Sequence, residues 1–141
     1  MTKILFVCHG NICRSPMAEL VLKDMVRKAG LTGITVDSVA VSREEEGNPV
    51  YPPACRELER HGVPVERRCA RQITQQDVDS YDRIYYMDSR NARYLARLFP
   101  GETKFQKFLP RDVADPWYSG DFTQTWEDIR EGCEKILEEL Q

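Results

Sequence analysis

The chain has 141 residues, of which 41% are hydrophobic and 30% charged, enough for one soluble domain with a proper core, expected to span residues 1–141. A formal charge of -3 leaves no excess of Lys and Arg to displace counterions from a phosphate backbone, which excludes general nucleic-acid binding but not a local anion pocket. The first apolar run, ILFVC, is too short for a signal segment or a membrane span, and the five cysteines lack CxxC or His-rich spacing, so they read as thiols in a cytoplasmic chain with no membrane partner and no metal. In chain order, KILFV reads as a buried strand because it lacks polar alternation. Met17, Leu20, Val21, Met25 and Ala29 then recur at helical spacing, with Pro16 suited to the first turn and Gly30 to the stop. GITVDSVAV is the second strand, and a helix runs from about Val50 to His61, closed by Gly62. A short helix starts at Thr74, DRIYYM is the third strand, and Ser89 to Phe99 is a helix. KFQKFL is the fourth strand, and Thr125 to Leu140 forms the last helix, with Ile129, Cys133, Ile136, Leu137 and Leu140 on one stripe.

Strands alternating with helices predict an α/β fold: a three-layer domain with a twisted four-stranded parallel sheet, helices on both faces and right-handed crossovers. Ligands of such sheets bind at the carboxyl ends of the strands, near a topological switch point. Cys8 stands at the carboxyl end of the first strand.

Cys8 belongs to the stretch VCHGNICRSP, Val7 to Pro16. Between strand and helix the backbone of Gly10, Asn11, Ile12 and Cys13 must curl, and successive N–H groups there form an anion-binding nest. The helix dipole, those N–H groups and the Arg14 guanidinium favour a thiolate at Cys8, the nucleophilic form of the residue. Arg14 offers a planar fork for two phosphate oxygens, Ser15 a hydrogen bond to the sulfur, and Asn11 a prop for the loop.

This Cys-x5-Arg-Ser loop at the start of a chain of this length resembles the low-molecular-weight protein tyrosine phosphatases, with a bacterial cast. The resemblance covers nearly the whole chain through CHGNICRSP (8–16), ARQIT (70–74), MDSRN (87–91) and ADPWY (114–118). It implies a flavodoxin-like fold of the phosphotyrosine phosphatase I type and hydrolysis of phosphotyrosine through a phosphocysteine. In that scheme Cys8 is nucleophile, Arg14 clamps phosphate, and Asp115 is general acid and then base, with Asp112 the internal competitor. Such a mechanism needs no cofactor. The implied partner is a phosphotyrosine-containing protein or peptide, with phosphate-like anions held by residues His9 to Ser15. Trp117 and Tyr118 would wall a slot for a planar ring, floored by Ile12. Relatives resembling arginine phosphatases tend to carry Thr at the position of Ile12, so Ile12 favours phosphotyrosine.

The chain also departs from the pattern. Glu44 stands where many members present an aromatic residue on the opposite wall, and the rim Glu44, Glu45 and Glu46 should repel acidic phosphopeptides. An Asp-x-Arg pair near Tyr51 to Pro53 and a His at Arg68 are missing, which puts the expected contact to Ser38 in doubt. Cys13 either packs in the loop or captures an oxidised Cys8 as a disulfide. Cys55, Cys69 and Cys133 read as core or surface thiols, His9 as pointing outward, His61 as sitting favourably at a helix end, Arg67, Arg68 and Arg71 as facing water or, for Arg71, supporting the sheet end, and Asp88 as capping a helix or bracing loops. Two other readings stand beside the phosphatase. An arsenate reductase would need resolving cysteines late in the sheet, and none occurs between Cys69 and Cys133. A non-catalytic phosphoprotein-binding module would lack the nucleophile or the acid. The exposed pair Trp117 and Tyr118 suits a monomer or weak self-association.

Overall fold

The computed structural model describes residues 1–141. Strand β1 (Thr2–Cys8) is central, with β2 (Ile34–Ala40) on one side and β3 (Arg83–Tyr86) then β4 (Phe105–Lys107) on the other, all parallel, in the order β2-β1-β3-β4. The period-two alternation of β1 sends Ile4, Phe6 and Cys8 into one core and Leu5 and Val7 into another. The first core is closed by helices α1 (Arg14–Lys28), α2 (Pro52–Arg60) and α6 (Phe122–Leu140), through residues such as Met17, Leu58, Ile129 and Cys133. On the opposite face, α3 (Gln75–Ser80) and α4 (Ser89–Leu98) bring Val78 and Leu95 onto Leu5, Val7 and Ile84. With both faces covered, β1 has no polar face to show, which is why its sequence carries no alternation.

The chain leaves β1 for β2 on one side and later returns to β3 on the other, so the switch point lies at the carboxyl end of β1. Cys8 ends that strand, and the loop His9–Cys13 leads into α1.

Helix α1 begins at Arg14 with Cys13 at its N-cap, so Pro16 falls in its first turn as expected. One helix start and one extra element differ from the sequence expectation. Helix α6 begins at Phe122 and not Thr125, since the Asp121 side chain accepts from the Gln124 N–H at 2.9 Å and caps it there, ahead of the apolar stripe. A one-turn helix, α5 (Pro116–Ser119), is additional to the expected elements. It has no apolar periodicity; Asp115 caps it through the Trp117 N–H at 3.1 Å, and Gly120 ends it at a φ of 72°.

Candidate active site

The site grows from the turn after β1. Its hinge is Asn11, the one non-glycine residue with positive φ (60°), a conformation in which Asn is favoured over most side chains. That turn aims the Asn11 N–H at Cys8 Sγ (3.3 Å), and the Ser15 N–H from the first turn of α1 joins it at 3.4 Å. Helix α1 has no side-chain cap, so first-turn N–H groups are free to face an anion.

Around the sulfur the hydroxyl chemistry is ordered. Ser15 Oγ accepts from Asn11 Nδ2 (2.7 Å), which leaves its single proton for Cys8 Sγ at 3.0 Å or the Val39 carbonyl at 3.3 Å. Asn11 Nδ2 also donates to Ser38 Oγ (3.0 Å), and that hydroxyl donates to Glu19 at 2.6 Å.

Arg14 lies beneath the loop, 2% exposed. One terminal nitrogen, Nη1, donates to Asp88 Oδ2 (2.6 Å) and to the Val113 carbonyl (2.8 Å). Nη2 donates to Asp115 Oδ2 at 3.4 Å, so its second N–H and that of Nε remain for an oxyanion. Burial alone would lower the guanidinium's proton affinity, but Cys8, Asp115 and Asp88 more than offset it and hold its pKa above the ordinary value. Cys13 behaves oppositely: burial, followed by the charges of Cys8 and Asp115, pushes its thiol well above the usual range, so it stays protonated.

A cavity of about 420 Å³ opens above the sulfur, within the range of small-molecule sites. Of the residues expected at the site, Cys8, His9, Gly10, Ile12, Cys13, Arg14, Glu44, Asp115, Trp117 and Tyr118 line it. Asn11 and Ser15 lie fully buried behind the loop. Trp117 and Tyr118 are exposed, at 51% and 75%, and Glu44 and Glu45 face the same cavity. His9 turns its ring toward Tyr94 and pairs with Glu44 through Nε2. Asp112 does not line the cavity: it binds Lys107 Nζ (2.7 Å) and Ser89, which hold its carboxyl below the usual range.

Several residues do more than the sequence suggested. Arg68, which stands where the sequence reading expects a His, donates through Nη2 to Asn11 Oδ1 (2.6 Å) and the Ser38 carbonyl (3.3 Å), and its Nε lies 3.2 Å from Glu19. The contact to Ser38 therefore persists, made by a guanidinium. Asp88 both caps α4, accepting from the Asn91 N–H at 2.8 Å, and holds Arg14. Arg71 supports the sheet end through its carbonyl, which accepts from the Ala40 N–H, and clasps Asp77 with both terminal nitrogens at 2.8 and 2.9 Å. His61 caps the end of α2 and stacks flat on Trp126 at 3.9 Å.

A doubly covered parallel sheet with a cysteine ringed by backbone N–H groups, an arginine below and a carboxylate across the cavity defines the small α/β proteins that hold an oxyanion over a thiol. Within that class the chain belongs to the low molecular weight phosphotyrosine protein phosphatase family, whose sequence profile matches residues 3–141. It is 37% identical to the low molecular weight protein-tyrosine-phosphatase YfkJ of Bacillus subtilis, over 100% of this chain and 97% of that one. The crystal structure of YfkJ superposes with a TM-score of 0.94, covering 100% of this chain and 95% of that one. The low molecular weight protein tyrosine phosphatase of Streptococcus pyogenes superposes at 0.91, with 37% identity over 100% of this chain and 94% of that one.

Proposed function

We propose that this chain hydrolyses phosphotyrosine in proteins and peptides, and small aryl phosphates, through a covalent phosphocysteine intermediate. The observation that carries the reading is the convergence of the Asn11 and Ser15 N–H groups on Cys8 Sγ in a cavity that also holds Arg14 and Asp115. Cys8 Sγ attacks phosphorus, the bond to the phenolic oxygen breaks, and Asp115 passes its proton to the departing phenolate. Asp115 then takes a proton from the water that attacks the phosphocysteine, the sulfur–phosphorus bond breaks, and phosphate leaves. Ser15 supplies its O–H to the departing sulfur. The N–H groups of residues His9 to Ser15 and the free side of Arg14 hold the phosphoryl oxygens in both steps, so the scheme needs no cofactor. Ile12, Trp117 and Tyr118 accept the ring, and Glu44 contributes the opposite rim.

The finer reading rests on the same site. Residues 1–141 act as a single phosphatase domain in the cytoplasm, a placement supported by five free cysteines. No helix is long and apolar enough to cross a membrane. The chain works as a monomer or a weakly associating one, and binds no nucleic acid. If peroxide converts Cys8 to a sulfenic acid, the neighbouring Cys13 thiol captures it as a disulfide with loss of water.

Hydrolysis of an aryl phosphate by the wild type, Cys8→Ser and Asp115→Asn, with EDTA present, tests the proposal. The expected result is full wild-type activity, none in Cys8→Ser and a loss of about 100-fold or more in Asp115→Asn. Activity surviving in Cys8→Ser, or abolished by EDTA in the wild type, overturns it. Phosphoarginine assayed alongside reads what Ile12 selects.

A further inference from the structure

The turn that carries Asp115 is thinly anchored. From Ala114 to Asp121 only Pro116 is buried, and α5 is a single turn. At its root, the Val113 N–H donates to the Met87 carbonyl and the Val113 carbonyl accepts from Arg14. At its far end Trp117 leans its ring on Tyr51, with centroids 4.9 Å apart and planes tilted by 53°. Tyr51 comes from a different part of the chain, the N-cap of α2, where this sequence lacks the Asp-x-Arg pair.

Tyr51 touches the other half of the site as well. Its N–H donates to the Ile12 carbonyl at 2.9 Å, inside the phosphate loop. Its half-buried ring packs with Phe122, the first residue of α6, at 6.1 Å, and both rings lie against the small cluster of Ile12, Cys13 and Ala70. One residue thus joins the loop that holds the thiol to the turn that holds the carboxylate. The bridging is done by backbone and ring, with tilted rings at centroid separations within the range of interacting aromatic pairs.

We propose that Tyr51 is a positioning residue for proton delivery: its backbone fixes the phosphate loop, and its ring fixes the turn that sets Asp115 over the leaving oxygen. This rests on the phosphatase reading above. A misplaced acid slows esters whose leaving group needs the proton and spares those that do not. Loss of the ring therefore has a chemical signature that a general loosening of the fold lacks.

The test compares kcat/KM on tyrosine phosphate, whose phenol has a pKa of about 10, with kcat/KM on the ester of a far more acidic nitrophenol, in the wild type, Tyr51→Ala, Tyr51→Phe, Asp115→Asn and the Tyr51→Ala/Asp115→Asn pair. The expected loss in Tyr51→Ala is about tenfold on tyrosine phosphate and under about threefold on the nitrophenyl ester. Tyr51→Phe, which keeps ring and backbone, should match the wild type on both. In the Asp115→Asn background the Ala substitution should steepen the leaving-group dependence no further. Equal losses on both esters, or a discrimination that adds to that of Asp115→Asn, overturns the assignment while leaving the phosphatase standing. A wild type that hydrolyses neither ester overturns both.

Discussion

Asp88 holds Arg14 with one carboxylate oxygen and the start of α4 with the other. Oδ2 accepts from Arg14 Nη1 at 2.6 Å, and Oδ1 accepts from the Asn91 N–H at 2.8 Å. A helix cap on one face of the sheet thus sets the angle of a guanidinium under the phosphate loop. The side chains that reach a charged fork in this way consume one of its nitrogens and leave the rest in a fixed plane, which is the condition for a two-point grip on an oxyanion.

Substituting Asp88 separates these two duties. Asn is as good an N-cap as Asp, so Asp88→Asn should keep the thermal midpoint close to wild type while lowering kcat/KM on an aryl phosphate by about tenfold or more, through loss of the charged partner. Asp88→Ala should lose the activity and about 1 kcal/mol of stability as well. Steady-state kinetics and thermal unfolding on the three proteins check this, and an Asp88→Asn enzyme with unchanged kcat/KM would mean that the Val113 carbonyl and Asp115 suffice to orient Arg14.

Arg68 acts one layer further back. It holds the carbonyl end of the Asn11 amide, whose amino end orders Ser15 and Ser38, and Asn11 is the residue that carries the positive-φ turn. In Arg68→Ala the Asn11 Oδ1 keeps only the longer Arg71 N–H at 3.3 Å, and buried Glu19 keeps Lys23 and Ser38. The expected outcome is weaker competitive inhibition by inorganic phosphate, by about tenfold, equivalent to about 1.4 kcal/mol. Arg68→Lys should recover part of it, because an ammonium cannot reach Asn11, Ser38 and Glu19 together.

The contrast between Cys8 and Arg68 shows what was readable in the chain. Cys8, Arg14 and Ser15 lie within eight residues, at a strand end followed by a helix, so local geometry alone brings them together and the chemistry is visible in the order of letters. The parallel sheet was legible for the same reason, in buried runs separated by helical spacing. Asp115 was reached only through family resemblance. Arg68, Asp88 and Tyr51 were not legible as parts of the site, since each reaches the loop or Arg14 across the fold and their types alone suit a solvated surface, an ordinary helix or a cap; Glu19, on α1, enters only through Ser38 and Arg68. Helix α5 escaped because a single turn has no period to detect.

Gly132 illustrates a packing constraint of the same hidden kind. It sits in the interior of α6, where glycine would ordinarily cost helix stability, and the Phe108 ring lies against it. A Cβ built there would fall 2.2 Å from Phe108 Cζ, well inside contact distance. Gly132→Ala should therefore destabilise the fold by about 2 kcal/mol or more despite the better helix propensity of Ala. Replacing Phe108 with Leu in the same chain should return part of that loss. Denaturant titration of the single and double variants checks the coupling, and a neutral or stabilising Gly132→Ala would show that the ring moves aside freely.

Asp77 ties stability to pH. Burial works against its carboxylate, but the Arg71 fork and the N–H and hydroxyl of Thr74 overcome that and hold its pKa below the ordinary value. A carboxylate with a depressed folded-state pKa stabilises the fold above its unfolded pKa of about 3.9 and loses that contribution as the pH falls through the folded-state value. Asp77→Asn should thus be less stable than wild type by about 1–2 kcal/mol near neutral pH, with the gap closing as the pH drops below about 4. Urea titrations of both proteins at about pH 7, 5 and 3 measure it. A gap that stays constant across that range would assign the effect to the neutral geometry of the Thr74 capping box, because an uncharged amide retains part of the cap but none of the pairing with Arg71.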